Sequence, residues 1–403
     1  MRRKFNSKLN FKKIFCAIML IFLILLIASN VSKAPLQLGS KKASNEPSAI
    51  QEEPKNPDIT INMAVIGDIM CHGPNYKDAY DSATKTYDFS TFFPQIKSYI
   101  SNADIAIGNL ETTFAGGNKA YSGYPTFNSP PELAEDISEI GIDVLTTSNN
   151  HSLDTGYNGL VNTIDTLDKL GISHTGTFKS KEEQNEILIK NVNGIKIAFL
   201  SYTYGTNGIA IPKGKEYCIN LIDEDLIKSH LESAKALDPD VICVSMHWGV
   251  EYQLKPNSQQ EELADLLFEN GADIILGSHP HVLQPMEKRT ITMEDGTKKD
   301  GFIIYSLGNF MSNQSDKYTK DSIILNLQIT KQSEGNITID SYDYTPIYMQ
   351  NNGANAKNRY EIIDLEKRIS DYQNGDTSVS KSLYNTYVAE LSNVKKALGE
   401  SDT

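Results

Sequence analysis

Cysteine is scarce in this sequence. Four cysteines occur among 403 residues, and one of them, Cys16, lies in an apolar stretch near the start. The other three, Cys71, Cys218 and Cys243, cannot all pair with one another, which excludes a disulfide framework. Export would permit one disulfide between two of them, but Cys243 lies in a pattern typical of a buried strand. The sequence therefore predicts free thiols.

Positive charge is also scarce. Lysine and arginine number 38 against 51 aspartates and glutamates, which gives a formal net charge of −13. Six of the cations precede residue 14, so removing them leaves −19 for residues 14–403. A body this acidic, without a basic stripe, repels the nucleic-acid backbone, which argues against DNA and RNA as partners.

Only one long apolar run occurs, at the N-terminus. Ile14–Ala28 follows the six basic residues and has 15 residues, or 18 when it is continued to Val31. That length lies between the apolar run of a signal peptide and a spanning helix of about 20 residues. We expect residues 1–34 to be an uncleaved signal anchor, with the N-terminus inside the cell and the body outside. Secretion after cleavage near Ser32 and Ala34 is the alternative.

The rest of the chain is expected to form one α/β domain with an appendage at each end. Residues 35–58 are polar without an apolar period, which predicts a flexible stalk between membrane and domain. Residues 59–349 alternate β-branched strands with helical patterns and finish in two antiparallel strands, which indicates a mixed-sheet α/β domain. Residues 350–403 are charged and helical in pattern from Glu361 to about Leu398, which predicts a helical tail.

Polar side chains follow the apolar strands of this domain at the points where the strands end. They are Asp68, Asn150, His151, His247, His279 and His281. Ligands bind at the carboxyl ends of parallel strands in α/β folds. His279 and His281 alternate in an extended loop, so both imidazoles can reach one centre. Because imidazole, carboxylate and amide groups suit zinc, manganese or iron, the sequence predicts that these residues converge on a metal site.

Other residues of these loops have competing interpretations. Three histidines are expected to be solvated: His72, His174 and His230. Asp154 either caps the helix that follows it or orients His151. Residues 203–217 hold three glycines and a proline, which suggests a mobile loop over a site.

Six motifs occur in order between Ile59 and Met349. They are Gly67-Asp68-Ile69-Met70, Gly108-Asn109-Leu110-Glu111, Asn149-Asn150-His151-Ser152-Leu153-Asp154, His247-Trp248-Gly249-Val250-Glu251-Tyr252, Gly277-Ser278-His279-Pro280-His281 and Ser306-Leu307-Gly308-Asn309-Phe310. Their order resembles that of the calcineurin-like metallophosphoesterases. More closely, the body resembles the CapA family, membrane-anchored proteins of poly-γ-glutamate capsule synthesis.

The resemblance implies a fold and a role for each motif residue. The fold is a four-layer α/β/β/α sandwich of two mixed sheets with metals at one edge. One metal would be held by Asn150, His247 and His279, and the other by Asp68 and His281. His151 would protonate the leaving group. The motif residues Asn109, Asp154, Glu251 and Asn309 are expected to contact the ligands or the substrate.

Two departures from the metallophosphoesterase pattern weaken the second position. Met70 stands where a histidine ligand belongs, and Asn109 stands where a bridging aspartate belongs. A thioether is a poor ligand for a hard cation, and an amide is a weaker bridge than a carboxylate. Glu111 or His72 would have to compensate. We therefore expect one tight divalent metal ion (Mn, Zn or Fe) and a second, weakly held ion.

The resemblance implies a metal-dependent hydrolase in the synthesis, export or release of poly-γ-glutamate or a related polymer. Metal-activated water would attack a phosphoryl or acyl centre, with His151 as general acid. The expected partners are the anionic polymer or its precursor and membrane subunits of a capsule synthase. One alternative is a non-catalytic scaffold subunit of that synthase. Another is a secreted nucleotidase or phosphodiesterase, which needs the missing bridging carboxylate.

Overall fold

Two β-sheets form the frame of the protein. The computed structural model describes residues 57–400 except 117, 118, 293–295 and 297. In chain order its strands are β1 (Ile59–Ile69), β2 (Tyr80–Asp81), β3 (Thr86–Tyr87), β4 (Ile105–Leu110), β5 (Val144–Thr146), β6 (Ser173–Thr175), β7 (Leu188–Val192), β8 (Ile195–Thr203), β9 (Val241–His247), β10 (Ile274–Ser278), β11 (Leu283–Thr292), β12 (Lys298–Leu307), β13 (Asn309–Met311), β14 (Asp321–Lys331), β15 (Ile337–Asn351) and β16 (Tyr360–Asp364). Its α-helices are α1 (Gly73–Asp78), α2 (Lys97–Ser101), α3 (Glu132–Glu139), α4 (Gly156–Leu170), α5 (Lys181–Asn185), α6 (Glu224–Lys235), α7 (Ser258–Glu269), α8 (Leu365–Gln373) and α9 (Lys381–Ala397).

Both large sheets are mixed. The first has the order β16-β15-β14-β1-β4-β5-β6 with β13 beside β1, and the second has the order β11-β12-β10-β9-β8-β7. Strands β1, β4, β5 and β6 run parallel, as do β8, β9, β10 and β12. Their flanking strands β14, β11 and β7 pair antiparallel. The mixed-sheet prediction is confirmed.

The two sheets pack face to face between two layers of helices. Along β1, side chains alternate between faces: Met63 belongs to the apolar cluster between the sheets, whereas Ala64 belongs to the cluster outside the first sheet. Helices α2 and α3 cover that outer face, and helices α6 and α7 cover the outer face of the second sheet. This is the α/β/β/α sandwich that the motifs implied.

The C-terminal segment adds a strand and two helices to this frame. The helix predicted from Glu361 is wrong at its start, because β16 continues the first sheet by pairing with β15. Helix α8 begins only at Leu365, where the side chain of Asp364 caps it. Helix α9 buries Tyr387 and Val394 in the cluster between the sheets.

His230 is buried, and the prediction that it is solvated is wrong. It lies on α6 between the buried residues Ile227 and Ala234, at the spacing of one helix face. Its Nδ1 is 3.0 Å from the hydroxyl of Tyr202, and burial lowers the pKa of the imidazole to about 4. His174 is half-buried instead, with its Nε2 3.1 Å from a carboxylate oxygen of Asp168.

The cysteines of the described residues are all buried and free. They are Cys71, Cys218 and Cys243. Burial raises the thiol pKa to about 12 for Cys71 and about 11 for Cys218. These thiols are therefore poor nucleophiles at neutral pH.

The predicted N-terminal anchor lies outside the described residues, as does the predicted stalk apart from Pro57 and Asp58. Among the residues that the structure does describe, no helix is long and apolar enough to cross a membrane. The anchor and its topology stay predictions.

Asp321, at the start of β14, should lower the stability of the fold at neutral and alkaline pH. It is 3% exposed, and burial beside Glu390 of α9 raises its pKa to about 9, opposed by Lys320. The unfolded value is about 3.9. The folded state therefore holds the extra proton, and stability falls as pH rises from about 4 to about 9.

We expect Asp321→Asn to stabilise the protein by roughly 2–5 kcal/mol at pH 8 and by little at pH 4. Thermal denaturation at both pH values measures this difference. Asp316→Asn, at an exposed position in the same region, is the control and should change neither melting temperature. An unchanged melting temperature of Asp321→Asn at pH 8 would contradict the prediction.

Candidate metal centre

Strand ends from both sheets meet at one edge of the sandwich. The predicted convergence is confirmed there, since the ring centroids of His247 and His279 are 4.9 Å apart. The backbone N–H of His279 donates to Asp68 across the two sheets at 3.3 Å. The polar residues at this edge are all buried: Asp68, Asn109, Glu111, Asn150, His151, His247, His279 and His281.

Glu111 lies at the centre of this group. Its side chain is completely buried, and neither carboxylate oxygen has a hydrogen-bond partner. Oε1 lies 3.6 Å from Nε2 of His247, 3.9 Å from Nε2 of His151 and 4.0 Å from Nε2 of His281. Burial, with the neighbouring carboxylate of Asp68, raises the pKa of Glu111 well above its ordinary value. A buried carboxylate without donors is costly unless a cation neutralises it.

Among the residues that the structure describes, three groups of side chains have ligand atoms within 4.8 Å of one another. They are Glu111 with His247 and His279, Asp68 with Glu111 and His281, and Glu251 with His279 and His281. Glu111 belongs to two of them. In addition, Oδ1 of Asn150 lies 2.9 Å from Nε2 of His247, which adds an amide oxygen to the first group.

Two imidazoles of the site, those of His247 and His279, are held in the form that binds metals. Burial lowers the pKa of His247 well below its ordinary value, and His279 and His281 lower it further. Burial also lowers the pKa of His279 to about 3. His247 and His279 are therefore neutral at pH 7, and each keeps a nitrogen lone pair. With the unpartnered carboxylate of Glu111, this donor set fits a divalent metal ion.

Neighbouring polar groups orient these ligands. Nδ1 of His247 is 2.9 Å from the hydroxyl of Ser278, and Nδ1 of His281 is 3.1 Å from Oδ1 of Asn309. The amide of Asn109 donates to Oδ1 of Asp68 at 2.8 Å. Such contacts fix the ring and carboxylate orientations around a metal. Asn109 thus acts as a donor that positions Asp68.

His151 has a fixed orientation beside the ligand groups. Its Nδ1 lies 2.7 Å from Oδ2 of Asp154, so that Nε2 faces Glu111. The ring of Phe127 packs edge-on against it at 4.7 Å. Thr155 occupies the N-cap position of α4, so Asp154 orients His151 and does not cap the helix.

His72 is also buried, and the prediction that it is solvated is wrong. It is 9% exposed, and burial lowers its pKa to about 4. Its Nδ1 accepts a hydrogen bond from the backbone N–H of Asn313, and its ring packs against Phe127. Within the described part of the chain His72 belongs to none of the three ligand groups. Of the two candidates that the sequence offered, Glu111 lies in two of the ligand groups and His72 lies in none.

The loop after β8 contributes two residues that the sequence did not single out. The ring of Tyr204 lies 4.5 Å from the ring of His279, and Oδ1 of Asn207 accepts a hydrogen bond from the amide of Asn150 at 3.1 Å. The predicted loop over the site is thus present. Tyr204 directly follows the end of β8, and this position was the feature of the sequence that could have indicated it as a site residue.

Glu251 is the exposed member of the site. Its carboxylate approaches His279 and His281 from the solvent side of the buried groups. The next residue, Tyr252, donates its backbone N–H to the carbonyl oxygen of Pro280 at 2.8 Å. This hydrogen bond holds the Glu251 loop against the His279-Pro280-His281 loop.

The sandwich of two mixed sheets with this cluster at one edge has a metallophosphoesterase-like architecture. The family model described as "Bacterial capsule synthesis protein PGA_cap" matches residues 62–314. The chain is 30% identical over 332 residues to the capsule biosynthesis protein CapA of Bacillus anthracis, covering 80% of this chain and 74% of that protein. It is 28% identical to the PGA biosynthesis protein CapA of Bacillus subtilis, covering 74% and 77%. The chain belongs to the PGA_cap family of bacterial capsule synthesis proteins.

Solved structures with a related fold are more distant. The NAD nucleotidase of Haemophilus influenzae is 12% identical with a TM-score of 0.44, and the match covers 85% of this chain and 61% of the nucleotidase. The calcineurin-like phosphoesterase YfkN of Bacillus subtilis is 15% identical with a TM-score of 0.40, and the match covers 72% of this chain and 91% of that one.

Proposed function

We propose that the protein is a metal-dependent hydrolase that acts on a capsule polymer or its precursor. The observation that carries this proposal is Glu111, a fully buried carboxylate without hydrogen-bond partners that lies among the imidazoles of three histidines, His151, His247 and His281. Without a cation, that carboxylate would have to take up a proton to avoid a buried charge. A divalent ion would compensate it and would give the surrounding side chains a common function.

The side chains would divide the reaction between binding and proton transfer. Asn150, His247 and His279 would hold one ion together with Glu111, and Asp68 and His281 would hold the other. A bound ion would polarise a phosphoryl or acyl oxygen and lower the pKa of water. His151, oriented by Asp154, would donate a proton from Nε2 to the leaving group. Tyr204 and Glu251 would line the entrance.

The substrate class follows from the relatives. Two curated relatives are named for capsule and PGA biosynthesis, which supports an anionic polymer such as poly-γ-glutamate, or its precursor. Because the body carries a large negative charge, polymer contact would be confined to the metal cleft. Membrane subunits of a capsule synthase are the proposed partners.

We expect the two metal positions to differ in affinity. The first position has two imidazoles, an amide oxygen and Glu111, whereas the second has only Asp68, His281 and the shared carboxylate. Manganese, zinc and iron suit these donors. Dialysis should leave about one ion per chain, and Met70→His should raise the content towards two by adding an imidazole. Two ions retained equally by the unmodified protein would contradict this expectation.

The proposed location is the outer face of the cell membrane, with residues 1–34 as anchor. It rests on the six basic residues that precede the apolar run. Protease added to intact cells should then remove the body of the protein, as detected by an antibody against its C-terminus. Full protection in cells whose wall admits the protease would contradict an outward orientation.

The test of the function combines metal analysis with hydrolysis of bis(4-nitrophenyl) phosphate by the purified protein. We expect bound metal and slow turnover that stops when the metal is removed by a chelator. Turnover that persists after complete metal removal would overturn the proposal. Bound metal without turnover on phosphodiesters, acyl esters and poly-γ-glutamate would favour the scaffold alternative.

A further inference from the structure

Glu251 shares two histidines with the buried ligand groups but is itself exposed to solvent. We propose that Glu251, His279 and His281 form a capture site that binds a divalent ion from solvent before it passes inward to Glu111. This inference rests on the proposed metal site and does not depend on turnover.

We call Glu251, His279 and His281 the outer group, and the two groups that contain Glu111 the inner groups. Because they share histidines, the outer group and an inner group are alternative positions for an ion. A neutral imidazole has one free lone pair, so it binds one ion at a time. Nδ1 of His281 already lies against Oδ1 of Asn309, which leaves Nε2 for an ion. The outer group therefore competes with both inner groups for its two imidazoles. An ion at Glu251 marks a stage of loading and is not an additional resident ion.

Transfer from the outer group to either inner group keeps one histidine and exchanges the other two ligands. His279 belongs to the inner group with Glu111 and His247, and His281 belongs to the inner group with Asp68 and Glu111, so Glu251 is replaced by Glu111 in either case. The ion keeps one nitrogen ligand throughout, so it does not have to lose all its ligands at once inside a buried site. Nδ1 of His279 is buried without a hydrogen-bond partner, so this ring has a nitrogen available.

The loop geometry keeps Glu251 at the entrance. The N–H of Tyr252 donates to the carbonyl of Pro280, and the Tyr252 hydroxyl accepts a hydrogen bond from Gln314. Tyr252 is 40% exposed and Tyr204 is 47% exposed, so both rings border the opening. The inner carboxylates of Asp68 and Glu111 have no exposed surface. Glu251 is therefore the carboxylate of the three groups that an ion meets first.

The test measures the rate of metal loading separately from affinity. The full chain, stripped of metal by a chelator, is mixed rapidly with Co²⁺. The single tryptophan, Trp248, adjoins the ligand His247 and is buried, so its fluorescence should be quenched as Co²⁺ arrives. We expect Glu251→Gln to lower the second-order loading rate constant by about 5- to 30-fold, as loss of a carboxylate about 4 Å from the ion predicts. The final Co²⁺ content and equilibrium affinity should not change.

Glu262→Gln is the matched control, because it removes the same charge from an exposed position on α7 and should load at the wild-type rate. Equal loading rates for Glu251→Gln and Glu262→Gln would overturn the capture site. A lower equilibrium content in Glu251→Gln would make Glu251 a permanent ligand and would also overturn it. If the wild-type protein binds no Co²⁺ at equilibrium, the metal site itself is refuted, which is a separate result.

Discussion

Glu111→Gln should remove nearly all metal from the protein. Glu111 belongs to both buried ligand groups, so one substitution takes a charged ligand from each position. A neutral amide oxygen binds divalent ions more weakly than a carboxylate. We expect the metal content after dialysis to fall from about one ion per chain to below about 0.1, as measured by elemental analysis.

Without metal, Glu111→Gln should be more stable than wild type, whereas with metal it should be less stable than wild type. Without metal, wild-type Glu111 is a buried carboxylate with no donor, and glutamine avoids burying that charge. Metal-free Glu111→Gln should therefore melt above metal-free wild type. With metal at about 100 times its dissociation constant, wild type gains about 2.7 kcal/mol that the variant cannot gain.

Glu269→Gln is a suitable control, because Glu269 is exposed at the end of α7. It should keep both the metal content and the metal-dependent stabilisation. If Glu111→Gln retained wild-type metal content, Glu111 would not be the shared ligand. If it also melted below metal-free wild type, the carboxylate would have a partner other than a cation.

The convergence of the site was predictable because it depends on topology. Parallel strands end at the same edge of a sheet, so polar residues that follow β1, β9 and β10 lie near one another whatever the loop details. The motif order supplied the second constraint, since it implied two sheets packed face to face. The order of the strands alone therefore predicts that three residues lie at this edge: Asp68, His247 and His281.

The position of Glu111 within two of the ligand groups follows from the period of a strand. Asn109 and Glu111 are two residues apart at the end of β4, so their side chains leave the same face. Asn109 turns its amide onto Asp68, and the longer Glu111 reaches between His247 and His281. The sequence left Glu111 and His72 as alternative additional ligands. Which of them lies among the ligand groups depends on the geometry of the loops.

The residues that the sequence misplaced lie where loop packing decides burial. His72 is covered by Phe127 and by the backbone near Asn313, which are distant in sequence. Tyr204 reaches the site because the loop after β8 turns back over His279. No periodic pattern in the sequence indicates either contact. The burial of His230, in contrast, follows from its helical spacing to other buried residues.

His151→Asn should lower kcat by about 10²- to 10⁴-fold with the metal content unchanged, the range typical of a lost general acid. His151 belongs to none of the buried ligand groups of the described residues, yet its Nε2 faces them at 3.9 Å from Glu111. The measurements are turnover of bis(4-nitrophenyl) phosphate and elemental analysis on the same preparation. Loss of metal together with activity would make His151 a ligand.

The protein supplies a matched control for this residue. His174 lies 3.1 Å from Asp168 as His151 lies 2.7 Å from Asp154, but the first pair is on β6 and α4, where no ligand group lies among the described residues. His174→Asn should leave kcat unchanged. Asp154→Asn should lower kcat less than His151→Asn, because it releases the ring from its orientation without removing the proton donor. Equal rates for His151→Asn and His174→Asn would refute the acid role, because both variants remove an imidazole paired with an aspartate and only His151 lies beside the metal ligands.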